Sequence, residues 1–551
     1  MSAATATRPA PSAPPTPART GELRGLGTLV RFALRRDRMR LPMWILGILL
    51  ATVGTAVSFP ASYPDAEARA GALLTIDNPG TTALIGAVYG DGDYTYGIIT
   101  GHNLLVLISA IVALMSIFTL VRHTRAEEES ERLELVRSGP VGRFAPAAAA
   151  MIVVIGTNLM LALALALGLG SLGIETVTWA GSFVFGAAAG SVGLVFAGIA
   201  AVTAQVTENA RTASSAAGLV LAAAYVVRAL GDVSNETLSW FSPLGWAQAT
   251  EPYYADDWAP LLLPVGAAVV LLVMAVALNR RRDVGAGVLG SRPGPARAGA
   301  GLRGPFGLAW RSNRGTLIGW TVGLGVFGLL YGPVLSEAST YLDDLPIMAE
   351  FMPDIDASGE ELFAAMVLLV GAILCAVPPL QVVLRLRGEE TAGRVGPLLT
   401  TPLPRWRWLG ANLILAVLGG AWLLAVLGFS IGLGAGYSME DYSWVGTSTI
   451  AAVSYLPAVA VAIGLGALLL GWAPRAAAWS WALVGFAVVV AYFGGILDLP
   501  QWLMNGSPFE HVPEQPAFDF DGRPLGWLSL VAVALSGASL VGIRRRDVQE
   551  A

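Results

Sequence analysis

The sequence predicts an all-α polytopic membrane protein: twelve transmembrane helices as two parallel six-helix repeats, with the N and C termini cytoplasmic. Three observations predict it. Apolar stretches of 18 or more residues recur from end to end. Arginine falls on alternate sides of those stretches, and one set of charged motifs occurs twice at a constant spacing. Composition agrees, because 55% of the 551 residues are hydrophobic, 13% are charged and mean hydropathy is +0.63. Soluble domains carry about 25% charged residues, so an ordinary soluble enzyme is excluded.

In chain order, residues 1–22 predict a disordered cytoplasmic tail, since Pro9, Pro11, Pro14, Pro15 and Pro17 sit among Ala, Ser and Thr with nothing to bury. Residues 23–284 predict the first six-span repeat, with spans near 41–59, 99–121, 145–171, 179–205, 214–231 and 260–278. The stretch 285–305, rich in Gly, Ala, Pro and Arg, is the expected cytoplasmic linker. Residues 306–551 form the second repeat, with spans near 315–335, 361–384, 409–436, 446–471, 477–497 and 525–543. With these spans, 31 of the 34 basic residues, all arginine, fall on one side, which the positive-inside rule makes the cytoplasm. Most acids face the other way, as unconstrained outer loops or as a cation-attracting vestibule. The predicted location is the plasma membrane, as a multi-pass chain.

The duplication is the most informative feature. Arg125, Glu127, Glu128, Arg132, Pro140 and Arg143 recur as Arg387, Glu389, Glu390, Arg394, Pro402 and Arg405, all at an offset of 262. Arg280, Arg281, Arg282, Asp283 and Val284 recur as Arg544, Arg545, Arg546, Asp547 and Val548, at offset 264. Ahead of the first span of each half, Arg35, Arg38, Leu41 and Trp44 match Arg311, Arg314, Leu317 and Trp320. An even number of spans per half requires the repeats to share one orientation. Each lead-in mixes arginine with apolar residues, as an amphipathic interfacial helix or as a stop at the membrane edge.

Chemical motifs are few. The absence of lysine excludes a Walker A loop, whose lysine contacts the nucleotide phosphates. One cysteine and three scattered histidines suggest neither a disulfide nor a metal site, and no catalytic residue is indicated. The G-x-x-x-G pairs Gly186 with Gly190 and Gly319 with Gly323 read as helix packing. The charged loops at 122–143 and 385–408 are long enough for a short helix ended by Pro140 or Pro402. Positive-inside logic does not account for their glutamates, whereas a protein partner does. Ionisable residues are almost absent from the spans away from their ends, and Arg228, Glu360 and Glu361 sit near the outer edge. The midplane offers Met115, Phe118, Tyr225, Met366, Phe486, Tyr492 and Phe493, as a candidate path for large apolar or amphipathic substrates or simply as packing.

Lead-in, six spans per half and the Glu-Glu-x-x-x-Arg loop together resemble the ABC-2 type export permeases, specifically the duplicated twelve-span tetronasin and multidrug exporter permeases of actinobacteria. The resemblance implies that the loop carries a coupling helix that docks on a separate ATPase. This assigns ATPase coupling to Glu127, Glu128, Arg132, Glu389, Glu390 and Arg394. It implies two copies of an ABC ATPase as partner, with ATP and Mg held there and no cofactor in this chain. It also implies export of hydrophobic compounds such as antibiotics, drugs or lipids, with spans two and five of each half along the path and no nucleic-acid partner. Two departures stand out: Thr391, Ala392 and Gly393 replace the longer acidic run of the first loop, and Pro378 with Pro379 interrupts span eight. The rival reading is a proton-coupled twelve-span efflux carrier, which needs a buried acid or base. A membrane scaffold that recruits a partner without transport is a third.

Overall fold

The computed structural model describes residues 21–76, 79–90, 92–130, 134, 138–234, 236–282, 287–288, 296–302, 304–335, 357–493 and 499–546. All regular elements among them are helical, and the chain divides into two compact units, Met1–Pro293 and Gly294–Ala551.

The first unit opens with α1 (Leu26–Arg36), α2 (Arg40–Ser62) and two short helices, α3 (Ala66–Ile76) and α4 (Pro79–Ile85). Then come α5 (Tyr96–His123), α6 (Arg125–Glu129), α7 (Ala145–Gly170), α8 (Trp179–Val206), α9 (Ala210–Ser234), α10 (Pro243–Gln248) and α11 (Leu262–Arg281). Thr95 and Thr178 set the starts of α5 and α8, each accepting a bond from a first-turn amide. The core gathers on α5 and α8, which are mostly buried, while α2 and α11 lie at the rim. Close packing uses small residues: a side chain at Gly186 would strike the Ala162 carbonyl of α7, and Gly190 faces the same residue.

The second unit comprises α12 (Pro305–Tyr331), α13 (Gly359–Thr391), α14 (Gly396–Leu399), α15 (Arg405–Met439), α16 (Ser443–Ser454), α17 (Leu456–Trp472), α18 (Ser480–Phe493) and α19 (Gly522–Arg545). Ser358 and Glu361 close a reciprocal capping box at the start of α13.

Eleven helical spans among the described residues are long and apolar enough to cross a membrane. The seventh expected span, 315–335, falls on α12, whose 27 residues reach about 40 Å. Its arginines and six glycines dilute the apolar run below that of the other eleven.

Four expectations are refined. The first lead-in is a separate helix, α1, packed on α7, whereas the second runs unbroken into α12. Pro378 and Pro379 do not interrupt span eight: both are buried inside the 33-residue α13, as prolines in membrane helices can be when neighbours satisfy the freed carbonyls. Span ten is two helices, α16 and α17, joined at Tyr455 with Pro457 in the first turn of the second. Gly319 and Gly323 meet no described atom; the glycines of α12 that press on α15 are Gly328 and Gly332.

Candidate functional site

Both repeated loops lie at the end of α5 or α13, and the residues around them carry most of the ion pairs. In the first unit α5 breaks at Thr124, whose φ of −118° and ψ of −85° leave the helical region, and the chain restarts as α6. Arg125 donates to Glu128 at 2.6 Å, three residues on. From the far end of the unit, Arg282 grips the same carboxylate bidentately, at 2.6 and 2.8 Å. All three side chains are nearly buried, at 1%, 9% and 6% exposure for Arg125, Glu128 and Arg282. Gln205 of α8 accepts from Arg282 and from Asn279, and Arg143 donates to the carbonyls of Asn279 and Arg280 at the end of α11.

The second unit builds the same clamp from the matching residues. Glu390 is fully buried and accepts from Arg387 at 3.3 Å and from Arg546 at 2.5 Å. Arg405 donates to the carbonyl of Arg546. Thus the motif at offset 262 and the motif at offset 264 meet in space, joining the end of the second helix to the end of the sixth in each unit.

Of the six residues assigned to coupling, Glu128 and Glu390 therefore point into their own unit. Glu127 pairs with Arg36 of α1, and Glu389 pairs with Arg385 at 3.3 Å and Arg394 at 3.7 Å. Arg394 is 69% exposed, and Arg132 lies outside the described residues. Two further partners carry no motif that sequence reasoning could use. Glu129 accepts from the amide of Ala210, fixing the start of α9 to α6. Asp37, between α1 and α2 and 1% exposed, accepts from Arg122 at 3.2 Å and His123 at 2.7 Å. α6 is thereby bonded to the start of the fifth span and the end of the sixth as well as continuing from the second. The one available signal was that Arg282 and Arg546 sit at matching places after their last spans.

At the other end of the first unit lies a polar knot. Arg228 is fully buried, pairs with Asp232 at 3.1 Å and donates to the carbonyls of Ala83 at 2.6 Å and Leu84 at 3.2 Å, at the C-terminal end of α4. Its guanidinium lies 4.6 Å from the ring of Tyr225, whose hydroxyl also donates to Leu84. His102 joins the Gly86 carbonyl at 2.9 Å to the Tyr94 hydroxyl at 2.8 Å. This cluster is the buried ionisable set that hydropathy did not resolve.

The candidate path residues divide between the two units, Met115, Phe118 and Tyr225 in the first and Met366, Phe486, Tyr492 and Phe493 in the second. Met115 is buried in the core of the first unit, Phe118 and Met366 are exposed at 46% and 55%, and Phe486 is half-buried. Tyr225 is committed to the knot. The side chains of Tyr492 and Phe493 lie outside the described set.

Comparison with known proteins gives two findings. The family described as "Multidrug efflux system permease Rv1217c, C-terminal domain" matches residues 26–280 and 302–544. Over its full length the chain is similar to the multidrug efflux system permease protein Rv1217c of Mycobacterium tuberculosis, with 38% identity over 562 residues covering 100% of each.

Proposed function

The chain belongs to the Rv1217c family of multidrug efflux system permeases, and from that premise we propose that it is the membrane subunit of an ABC exporter for hydrophobic or amphipathic compounds, driven by two copies of a separate ATPase. In this reading it is a twelve-span membrane protein of two parallel repeats, with both termini cytoplasmic. The carrying observation is the pair of matching clamps, Arg125–Glu128–Arg282 and Arg387–Glu390–Arg546. Two like-built loops suit two like partners, as a homodimeric ATPase would supply. ATP and Mg bind in that partner. Docking on it falls to Glu127, Arg132, Glu389 and Arg394, while Glu128 and Glu390 hold each loop to its sixth span so that closure of the ATPases turns each half as a body.

Purification from native membranes in mild detergent, followed by mass spectrometry and an ATPase assay, tests this. A nucleotide-binding subunit at two copies per chain, with ATPase activity altered by hydrophobic drugs, is the expected result. A chain that purifies alone and is inert toward ATP overturns it. The buried cluster of Arg228, Asp232 and His102 favours a second reading, a proton-coupled carrier. That reading requires efflux to follow the proton gradient without ATP and to fail in Asp232→Asn.

A further inference from the structure

A groove opens on the side of each unit. The first, about 650 Å³, lies between α1–α2 and α7 and is lined by Leu34, Leu41, Ile45, Ile152, Val153 and Met160 among others. The second, about 670 Å³, lies between α12 and α15 and is lined by Trp310, Leu317, Thr321, Leu415, Leu418 and Trp422 among others. Both volumes fall in the range of small-molecule sites. Their linings correspond position by position: Leu34, Leu41 and Ile45 match Trp310, Leu317 and Thr321, while Val153, Gly156 and Met160 match Leu415, Leu418 and Trp422.

Each groove is lined almost wholly by apolar side chains, and the lining of the first includes one cation. Arg38 lines the first groove. Arg314 matches it and lies four residues after Trp310 and three before Leu317, on the same face of α12. Both arginines are exposed and neither pairs with a described acid. Asp37 also lines the first groove, but its carboxylate is turned to Arg122 and His123. This is the arginine-rich end of the helices, where anionic headgroups meet a membrane protein.

We propose that each groove seats one acyl chain of an anionic phospholipid, whose phosphate is held by Arg38 in the first unit and by Arg314 in the second. The proposal does not rest on the coupling to ATP. It explains why an apolar groove and an arginine recur together at one register in two units whose backbones differ there.

The test is native mass spectrometry of the purified full chain, with any subunits it retains, titrated with phosphatidylglycerol and with phosphatidylcholine of the same chains. Two phosphatidylglycerol molecules should be retained about fivefold or more over phosphatidylcholine. Arg38→Gln and Arg314→Gln should each remove one. Gly156→Trp should fill the first groove while leaving the helix backbone in place, because a Cβ added there meets no atom within 4 Å. Leu418→Trp should do the same in the second, where Leu418 is 57% exposed. Glycerol phosphate should not compete. Equal retention of the two lipids overturns the proposal, as does an unchanged count in the double arginine variant or in the double tryptophan variant. Displacement by glycerol phosphate removes the role of the acyl chain.

Discussion

The two units enter the membrane differently. In the first, the lead-in stops at Arg36 and a second helix starts at Arg40; in the second, the matching stretch is one helix from Pro305 to Tyr331. Yet the buried positions coincide, since Ala33, Asp37, Leu41 and Ile48 match Ala309, Asn313, Leu317 and Leu324, and all eight are buried. Helix geometry fixes which positions face inward. The side chain at one of them decides the backbone. Asp37 turns its carboxylate to Arg122 and His123 on α5, whereas the Asn313 amide donates to Ala309 one turn back and keeps the helix intact. A duplicated scaffold thus preserves its apolar register and varies its polar bonds.

The largest expected difference lies in the clamps. Glu128→Ala removes the carboxylate that Arg125 and Arg282 share, both almost fully buried, which costs about 3–5 kcal/mol. Glu390→Ala removes the carboxylate shared by Arg387 and Arg546, which are 24% and 14% exposed and can reach water, so its cost is about 2 kcal/mol. Thermal unfolding in detergent reads both, at roughly 2–4 °C per kcal/mol for units of this size. Equal losses would show that the two clamps are alike in solvent access, against their geometry. Efflux should fall in both variants even where folded protein reaches the membrane, because the loop then loses its carboxylate tie to the end of the sixth span.

A middling effect separates the lead-ins. Asp37→Asn loses charge-assisted bonds to Arg122 and His123, and should cost about 2 kcal/mol and speed amide exchange across residues 26–40. Asn313→Ala loses only a bond within its own helix and should cost under about 1 kcal/mol, with exchange in α12 little changed. If Asn313→Ala proved the more disruptive, the hinge at Asp37 would not be what distinguishes the units.

Smaller still is the contrast in the middle of the spans. In the first unit Asn158 donates to Ser116 at 2.9 Å and so bonds α7 to α5. At offset 262 these positions are Gly420 and Pro378, and Gly420 closes instead on Pro379 and Val459. Asn158→Ala should cost about 0.6 kcal/mol, the average of interhelical hydrogen bonds in a membrane bundle. Gly420→Ala should cost a comparable amount through contacts of 3.2 and 3.4 Å that force its neighbours apart. A loss above about 2 kcal/mol in Asn158→Ala alone would mark the polar pair as a bond the first unit depends on.

Much of this was legible in the sequence. The helical class and most spans follow from apolar runs, and the clamp residues stood out by recurring at two fixed offsets. What the sequence did not reveal is that Glu128 and Arg282, 154 residues apart, would be partners; periodicity reports which face is buried, never which distant charge meets it. The docking role of Glu128 came from the family resemblance, which carries no sign that its carboxylate is held inside the clamp. Hydropathy found the span on α12 and set Arg228 near a span end, but it carries no sign that Arg228 is buried against Asp232 and the carbonyls of Ala83 and Leu84. Proline was over-read at Pro378 and Pro379, where tertiary neighbours keep the helix.

The smallest contrast concerns pH, in the segments that connect spans on the side away from the clamps. Burial raises the carboxyl pKa of Glu251 in the first unit, helped by Asp257. Burial likewise raises Glu510 and Glu514 in the second, and Glu510 adds to the rise at Glu514. A carboxyl whose folded pKa lies above its unfolded value, about 4.3, disfavours the folded state once it ionises. That penalty is absent below the unfolded pKa and complete above the folded one. Glu514→Gln should therefore raise the unfolding temperature at pH 7 by about 1 °C, a small figure because the group is partly solvated. The gain should vanish as pH falls through the unfolded value. Glu251→Gln, in a more open site, should gain less. Were Glu514→Gln to lower the unfolding temperature at pH 7, the ionised carboxylate would be making a favourable contact there, and the second unit's outer segment would owe stability to charge as its clamp does.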